Sequence, residues 1–262
     1  MAVKPALFLV LGAYLLTGSP LLPGFAGMSG GTGIGPQSSH MHPALITWDG
    51  SMIEAGVVTL YGYGGLSERP LRTNSLGYFH SRRDFKIGGG VEHLEAFGLY
   101  QKSTFSLHLG KSFKKNSISA RYSPAREKVD FEITRVHSGS ILYARRFPRS
   151  VLFAGGGIEA YNRNTECRSF RVQIGGRFED NYLGSQGVVI QYNESLRQFS
   201  MDVFEAFSLG KYITILCGIR SHPSFLFLGL SFQNTGQAAG FMSFLHKDLG
   251  WSRAAACQYR WK

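Results

Sequence analysis

Residues 170 to 178 read Phe170-Arg171-Val172-Gln173-Ile174-Gly175-Gly176-Arg177-Phe178. In an extended chain Phe170, Val172, Ile174, Gly176 and Phe178 share one face and Arg171, Gln173, Gly175 and Arg177 the other, because successive β side chains point to opposite sides. A helical period of 3.6 would scatter both sets around the axis. The alternation recurs on either side of this stretch. Phe105, Leu107 and Leu109 oppose Thr104, Ser106, His108 and Gly110; Ile213, Ile215, Cys217 and Ile219 oppose Thr214, Gly218 and Arg220; Val129, Phe131 and Ile133 oppose Asp130, Glu132 and Thr134. Such segments of about eight to eleven residues run from Ser51 to Trp261, separated by polar or Gly/Pro-containing breaks, so the body reads as all-β.

Composition agrees. Glycine supplies 33 of 262 residues, a load that would erode helices but suits bent, closely packed strands. Only 17% of the residues are charged, against roughly 25% in soluble domains. Alternating strands build either a soluble sandwich, with the apolar face in a core, or a transmembrane barrel, with the apolar face toward lipid. The polar face decides between them. It is mostly Gly, Ser, Thr and Gln with scattered Arg, too poor in charge for a solvated exterior and suited to a lumen. Closure also removes the open sheet edges whose unpaired backbone would cost several kcal/mol per group in hydrocarbon.

At roughly 10 residues per tilted strand and about 5 per connection, the span from Ser51 to Trp261 holds about 14 strands, or 12 to 16 if a hairpin is misplaced. Short connections are expected at Lys114-Lys115-Asn116, His137-Ser138-Gly139, Ser221-His222-Pro223 and Asn234-Thr235-Gly236. Longer ones around Gly64 to Arg72, Tyr161 to Cys167 and Glu179 to Gln186 are expected on the extracellular rim. The chain stops on a strand, with Ala255, Cys257, Tyr259 and Trp261 on one face and Ala254, Ala256, Gln258, Arg260 and Lys262 on the other. This end resembles the C-terminal signal of outer-membrane barrels, with the aromatic penultimate.

The first 26 residues have the layout of an export signal: Lys4, an apolar run from Ala6 to Leu16 broken by Gly12, the breakers Gly18, Ser19, Pro20 and Pro23, and small residues before Gly27. The apolar run falls short of the roughly 20 residues of a spanning helix. Residues 27 to 50 form a glycine-rich segment, uncharged until Asp49, expected to pack into or against a barrel formed by residues 51 to 262. Gly27-Met28-Ser29-Gly30-Gly31-Thr32-Gly33-Ile34-Gly35, followed by His42-Pro43-Ala44-Leu45, resembles the opening of FadL-like and PorV/PorQ-like outer-membrane barrels, with His42 where the family pattern has Asn. The resemblance implies a plug built on Gly30, Gly31, Gly33, His42 and Pro43. It also implies either passage of hydrophobic molecules, through the barrel or sideways through a kinked strand, or a role in the secretion and surface attachment of proteins.

Other chemistry is weakly encoded. Gly27-Met28-Ser29-Gly30-Gly31 fits a nucleophile elbow in letters only, lacking its strand and helix. Gly110-Lys111-Ser112 lies in a strand pattern with Phe105 where a P-loop needs Gly. The histidines show no convergent set of metal ligands, and no metal or cofactor is expected. Ser106 and His108 share an inward face and are the first candidates for a Ser-His pair, although the chain is not read as an enzyme. Cys167, Cys217 and Cys257 are read as packing residues, one disulfide among them being compatible with an oxidising compartment.

His108, Arg171, Gln173, Arg177 and Arg220 are the lumen-facing candidates. Arg171, Arg177, Arg220 and Arg260 would bias anion passage or pair with Asp130, Glu132 and Asp202. The net charge of +11 points to a polyanionic surface. Arg145, Arg146 and Arg149, with Lys111, Lys114 and Lys115, cluster at strand ends where they would meet the phosphates of lipid or lipopolysaccharide. Nucleic acid is not expected, because the aromatics follow the apolar face. The expected protein is thus an outer-membrane β-barrel of a Gram-negative bacterium. Two roles stay open: a passive channel for small, hydrophobic ligands, and a non-transporting scaffold for a secretion-machinery protein.

Overall fold

Every strand of a sheet standing in hydrocarbon needs a partner on both sides, and the chain meets that demand by closing on itself. A computed structural model describes residues 43–46, 49–60, 71–96, 100–129, 132–162, 167–180, 184–194, 197–210, 212–221, 224–234, 236–246 and 250–261. Its strands are β1 (Gly50–Leu60), β2 (Leu71–Arg82), β3 (Phe85–Ala96), β4 (Tyr100–Phe113), β5 (Asn116–Val129), β6 (Glu132–Phe147) and β7 (Ser150–Asn162). They continue as β8 (Cys167–Asp180), β9 (Gly184–Asn193), β10 (Gln198–Leu209), β11 (Ile213–Arg220), β12 (Phe225–Gln233), β13 (Gln237–His246) and β14 (Gly250–Trp261). Each pairs antiparallel with its sequence neighbours, and β1 pairs with β14, Ser51 opposite Trp261 through Thr59 opposite Arg253. The result is a closed barrel of 14 strands.

The exterior is apolar all the way round. Ile53 on β1, Leu109 on β4, Ile141 on β6, Ile158 on β7, Ile174 on β8, Leu228 on β12 and Phe241 on β13 are all exposed, Leu109 at 60% and Ile158 at 61%. A monomeric soluble protein rarely shows an apolar patch beyond a few hundred Å². A belt around the whole wall belongs in a bilayer, and the protein is an outer-membrane β-barrel. Among the described residues no helix is long and apolar enough to cross a membrane.

The inner face is built from alternating large and absent side chains. Phe79 lies opposite Gly88, Phe153 opposite Gly175, Phe204 opposite Gly187 and Phe227 opposite Gly218, each pair bridging two strands. Each ring occupies the space a Cβ on its glycine would need; at Gly175 that atom would sit 2.5 Å from the Phe153 ring and 2.8 Å from the Val188 carbonyl oxygen. Glycine is required here for close approach rather than for an unusual dihedral.

Both ends of the barrel, Gly50 and Trp261, lie on one rim, the terminal rim. The connections there span two or three residues, 83–84, 114–115, 148–149, 181–183, 210–212 and 234–236, and those of the opposite rim span two to four except for 61–70, which spans ten. Arg83 and Lys114 begin their tight turns with φ of 52° and 53°, the left-handed start that suits two-residue hairpins. Short turns assign the terminal rim to the periplasmic side.

Several expectations need correction. His137-Ser138-Gly139 is not a turn but the middle of β6, because the hairpin lies earlier, between Val129 and Glu132. The alternation read through Val129, Ile133 and Thr134 therefore spans two strands, and Asp130 and Phe131 fall outside the described residues. The connection near Glu179 to Gln186 sits on the terminal rim, since an even number of strands separates it from Gly50. It is also shorter than expected, as is the one near Tyr161 to Cys167, because strands consume their flanks. The expected signal, the glycines of the plug and His42 lie outside the described residues.

Substituting Gly187→Ala is expected to lower stability by about 1–3 kcal/mol through overpacking against Phe204. Denaturant titration of the refolded barrel, followed by its gel mobility shift, checks this; Phe204→Ala in the same background should recover part of the loss.

Candidate functional site

A short 3-10 helix, Pro43–Leu45, packs inside the barrel against β3, β4, β5 and β6. Proline suits the first turn because its missing N–H would be unpaired there in any case. Ala44, Leu45 and Ile46 are buried. The carbonyls at the helix end accept from two cations of the wall. Lys86 Nζ on β3 donates to Ile46 O at 2.5 Å, and Arg146 Nη2 on β6 donates to Ala44 O at 3.1 Å and Ile46 O at 2.6 Å. Cations at a helix C-terminus also meet the negative end of its dipole. Arg146 therefore serves the inside of the barrel rather than lipid phosphates, as its parity on β6 dictates; Arg145, one residue earlier, is exposed over Phe147 on the outside.

The candidate lumen residues occupy the inner face. His108 is fully buried, 5.2 Å from the Phe79 ring, with Nε2 3.1 Å from Ser106 Oγ. Ser106 and His108 thus do meet, but both are buried, and Ser106 Oγ donates to Gly90 O at 3.4 Å. Arg171 pairs with Glu159 at 2.6 Å, and Arg220 holds Asp202 through two bonds of 2.5 and 2.6 Å. Lys102 and Glu127 form another inner pair at 2.6 Å, and Gln258 donates to Glu54 across the closing seam. Arg177 is buried on β8, and Gln173 is half-buried beside it.

Of the expected acid partners, Asp202 is found. Glu132 is exposed at the end of β6, while Glu159, on β7, takes Arg171 because the two strands are adjacent. Cys217 and Cys257 are free thiols on outward positions of β11 and β14. Among the described residues no group of three His, Cys, Asp or Glu is placed to hold a metal ion.

One feature of the wall was not anticipated. The ladder between β4 and β5 is continuous except at Phe105-Ser106 facing Ser123-Pro124, where register pairs are missing between Thr104–Ala125 and Leu107–Tyr122. Pro124 has no N–H to give across to β4, while its pairing with His137 on β6 is kept. A cavity of about 640 Å³ lies at this break. It is lined by outward residues, among them Leu76, Val91, Phe105, Arg126 and Arg135, and by the strand positions between them, Ser75, Glu92, Thr104 and Ala125. On the inner side Arg121 Nε donates to Ser123 Oγ at 2.8 Å. A proline inside the alternating run from Ser117 to Val129 was the signal in the sequence that marks this point.

No family model matches the chain, and no curated protein matches it. Solved structures share its fold. The toluene transporter TbuX of Ralstonia pickettii aligns with a TM-score of 0.61 at 11% identity, covering 91% of this chain and 98% of that one. The monoaromatic hydrocarbon channel CymD gives 0.62 at 9% identity, over 87% and 93%. The toluene transporter TodX of P. putida gives 0.59 at 10%, over 86% and 92%. At these identities the likeness is one of architecture: a closed outer-membrane barrel.

Two outcomes test the site. Asp202→Ala strands a buried guanidinium and is expected to cost about 3–5 kcal/mol in denaturant titration, whereas exchanging both partners for apolar residues of similar volume should cost much less. Lys86→Met with Arg146→Met removes every wall donor to the Ala44 and Ile46 carbonyls named above, and limited proteolysis should then cut near residues 43–46 in barrels that still migrate as folded.

Proposed function

We propose that this barrel is a passive outer-membrane channel for small hydrophobic molecules, which leave the lumen sideways through the break at Pro124. The observation that carries the reading is the interrupted β4–β5 ladder coinciding with a cavity in the wall. A hydrophobic solute gains nothing from crossing into periplasmic water. Release into the bilayer keeps its apolar surface out of water at about 25 cal/mol per Å². The outward residues at the break, Leu76, Val91 and Phe105, offer it an apolar surface on the lipid side.

The fold likeness to toluene transporters and a monoaromatic hydrocarbon channel supports the reading, as does the N-terminal run that resembles FadL-like barrels. The docked helix Pro43–Leu45 fits a plug that narrows the axial route. Nothing in this role requires catalysis.

The test is toluene entry into liposomes whose outer leaflet is lipopolysaccharide, a poor solvent for aromatic solutes. The full-length protein should raise the rate above protein-free vesicles. Pro124→Val, which restores the missing donor, should lower it several-fold without unfolding the barrel. No increase with the wild-type protein, or equal rates for the variant, overturns the reading; absent flux together with a co-purifying secretion protein would favour the scaffold role.

A further inference from the structure

The apolar exterior is not equally tall around the barrel. On β10, β11 and β12 it runs up to the rim opposite the termini, where Phe199, Ile219 and Leu226 are exposed one residue from the strand end. From β2 to β5 it stops short, and on β6 Arg135 stands between Ile133 at the rim and the apolar residues deeper in the wall. There the outward positions form one cross-strand row: Asn74 opposite His93, His93 opposite Ser103, Ser103 opposite Arg126, and Arg126 opposite Arg135. All five side chains are exposed on the outside of the wall.

The charges in this row are unbalanced. Two arginines directly opposite one another repel, and among the described residues neither Arg126 nor Arg135 has an ion pair or side-chain hydrogen bond. The next row adds Lys128. Its carboxylate, Glu95, stands opposite Arg72, two strands from Lys128. Among the described residues the acid of this hairpin is Glu132, opposite Val129. His93 Nδ1 is 3.0 Å from Ser103 Oγ, and Tyr122 Oη is 2.8 Å from His137 Nδ1, which holds the two imidazoles along this edge.

The two arginines line the cavity at Pro124, which toward the bilayer is floored by Leu76, Val91 and Phe105. A basic edge above an apolar trough has the shape of an amphiphile, anionic at one end and alkyl at the other. The ten-residue connection 61–70 puts this rim on the extracellular side, at the level of outer-leaflet headgroups. We propose that Arg126 and Arg135 clamp a phosphate of an outer-leaflet phosphorylated glycolipid, with one acyl chain lying in the trough over the Pro124 break. Guanidinium forks match phosphate oxygens bidentately, and the bound anion relieves the repulsion between the arginines. This site does not depend on transport: a barrel that carries no solute would still bind the lipid.

The test is native mass spectrometry of the full-length protein in detergent with diphosphorylated lipid A, the same lipid after enzymatic removal of its phosphates, and inorganic phosphate. The folded barrel should retain lipid A and lose roughly tenfold or more in affinity for the dephosphorylated lipid, as expected for losing a charge-assisted contact. R126Q/R135Q should show a similar loss, while R82Q/R83Q, which removes the same charge from the terminal rim, should bind as the wild type does. Gel mobility establishes that each variant is folded. Equal retention with and without phosphates, unchanged binding by R126Q/R135Q, or inorganic phosphate binding as tightly as lipid A would each overturn the proposal, the last by showing a site for a free anion.

Discussion

The structure depends on the pairing of β1 with β14. A sheet of 13 hairpin-linked interfaces still has two edges, and each edge residue in hydrocarbon would carry unpaired backbone groups. The register from Ser51–Trp261 to Thr59–Arg253 removes both edges at once. It also explains why the last residues of the chain alternate as strictly as the middle ones, since Trp261 completes the wall opposite Ser51. Inside the barrel, Glu54 and Gln258 clasp across this seam, so the join is held by side chains as well as by backbone.

Closure inverts the usual arrangement of a folded protein, and the inner face must then solve the problems of a core with polar residues. It does so by pairing. Arg220 with Asp202, Arg171 with Glu159 and Lys102 with Glu127 bring three inner carboxylates an opposite charge from the neighbouring strand. Burial of such pairs contributes little net stability, but leaving one partner alone is costly, so these contacts specify register more than they stabilise. The four Phe rings seated over glycines do the same by shape. Where the wall breaks, at Pro124, the cause is the loss of one backbone donor, and the inner and outer sides of the gap differ: Ser and Arg within, Leu, Val and Phe without.

The legibility of this protein follows from the strand period. Parity alone assigns Arg171, Gln173, Arg177 and His108 to one side of the wall and Phe170, Leu107 and Leu109 to the other, because a strand cannot change face without a bulge. The same rule misled at Val129 to Thr134, where a tight hairpin keeps the alternation going across the turn and hides the boundary. It also left partners unassigned. Glu159 stands opposite Ser169 and only diagonal to Arg171, a relation set by the register of β7 on β8, which no local pattern states. Arg146 looked like one of several rim cations; its role as an anchor for the Ala44 and Ile46 carbonyls depends on a segment 100 residues away in sequence.

The amino-acid sequence by itself determined that the wall is β, that it crosses a membrane and that it needs about fourteen strands, since period, charge content and length are properties of the chain alone. It also placed a proline where a ladder would fail. Tertiary structure alone decided which strand that proline faces, which acid each inner arginine meets, which cations hold residues 43–46, and that Arg126 and Arg135 stand side by side above an apolar trough. These are juxtapositions across strands, set by register and closure, and a one-residue slip in pairing would have produced a different set from the same letters.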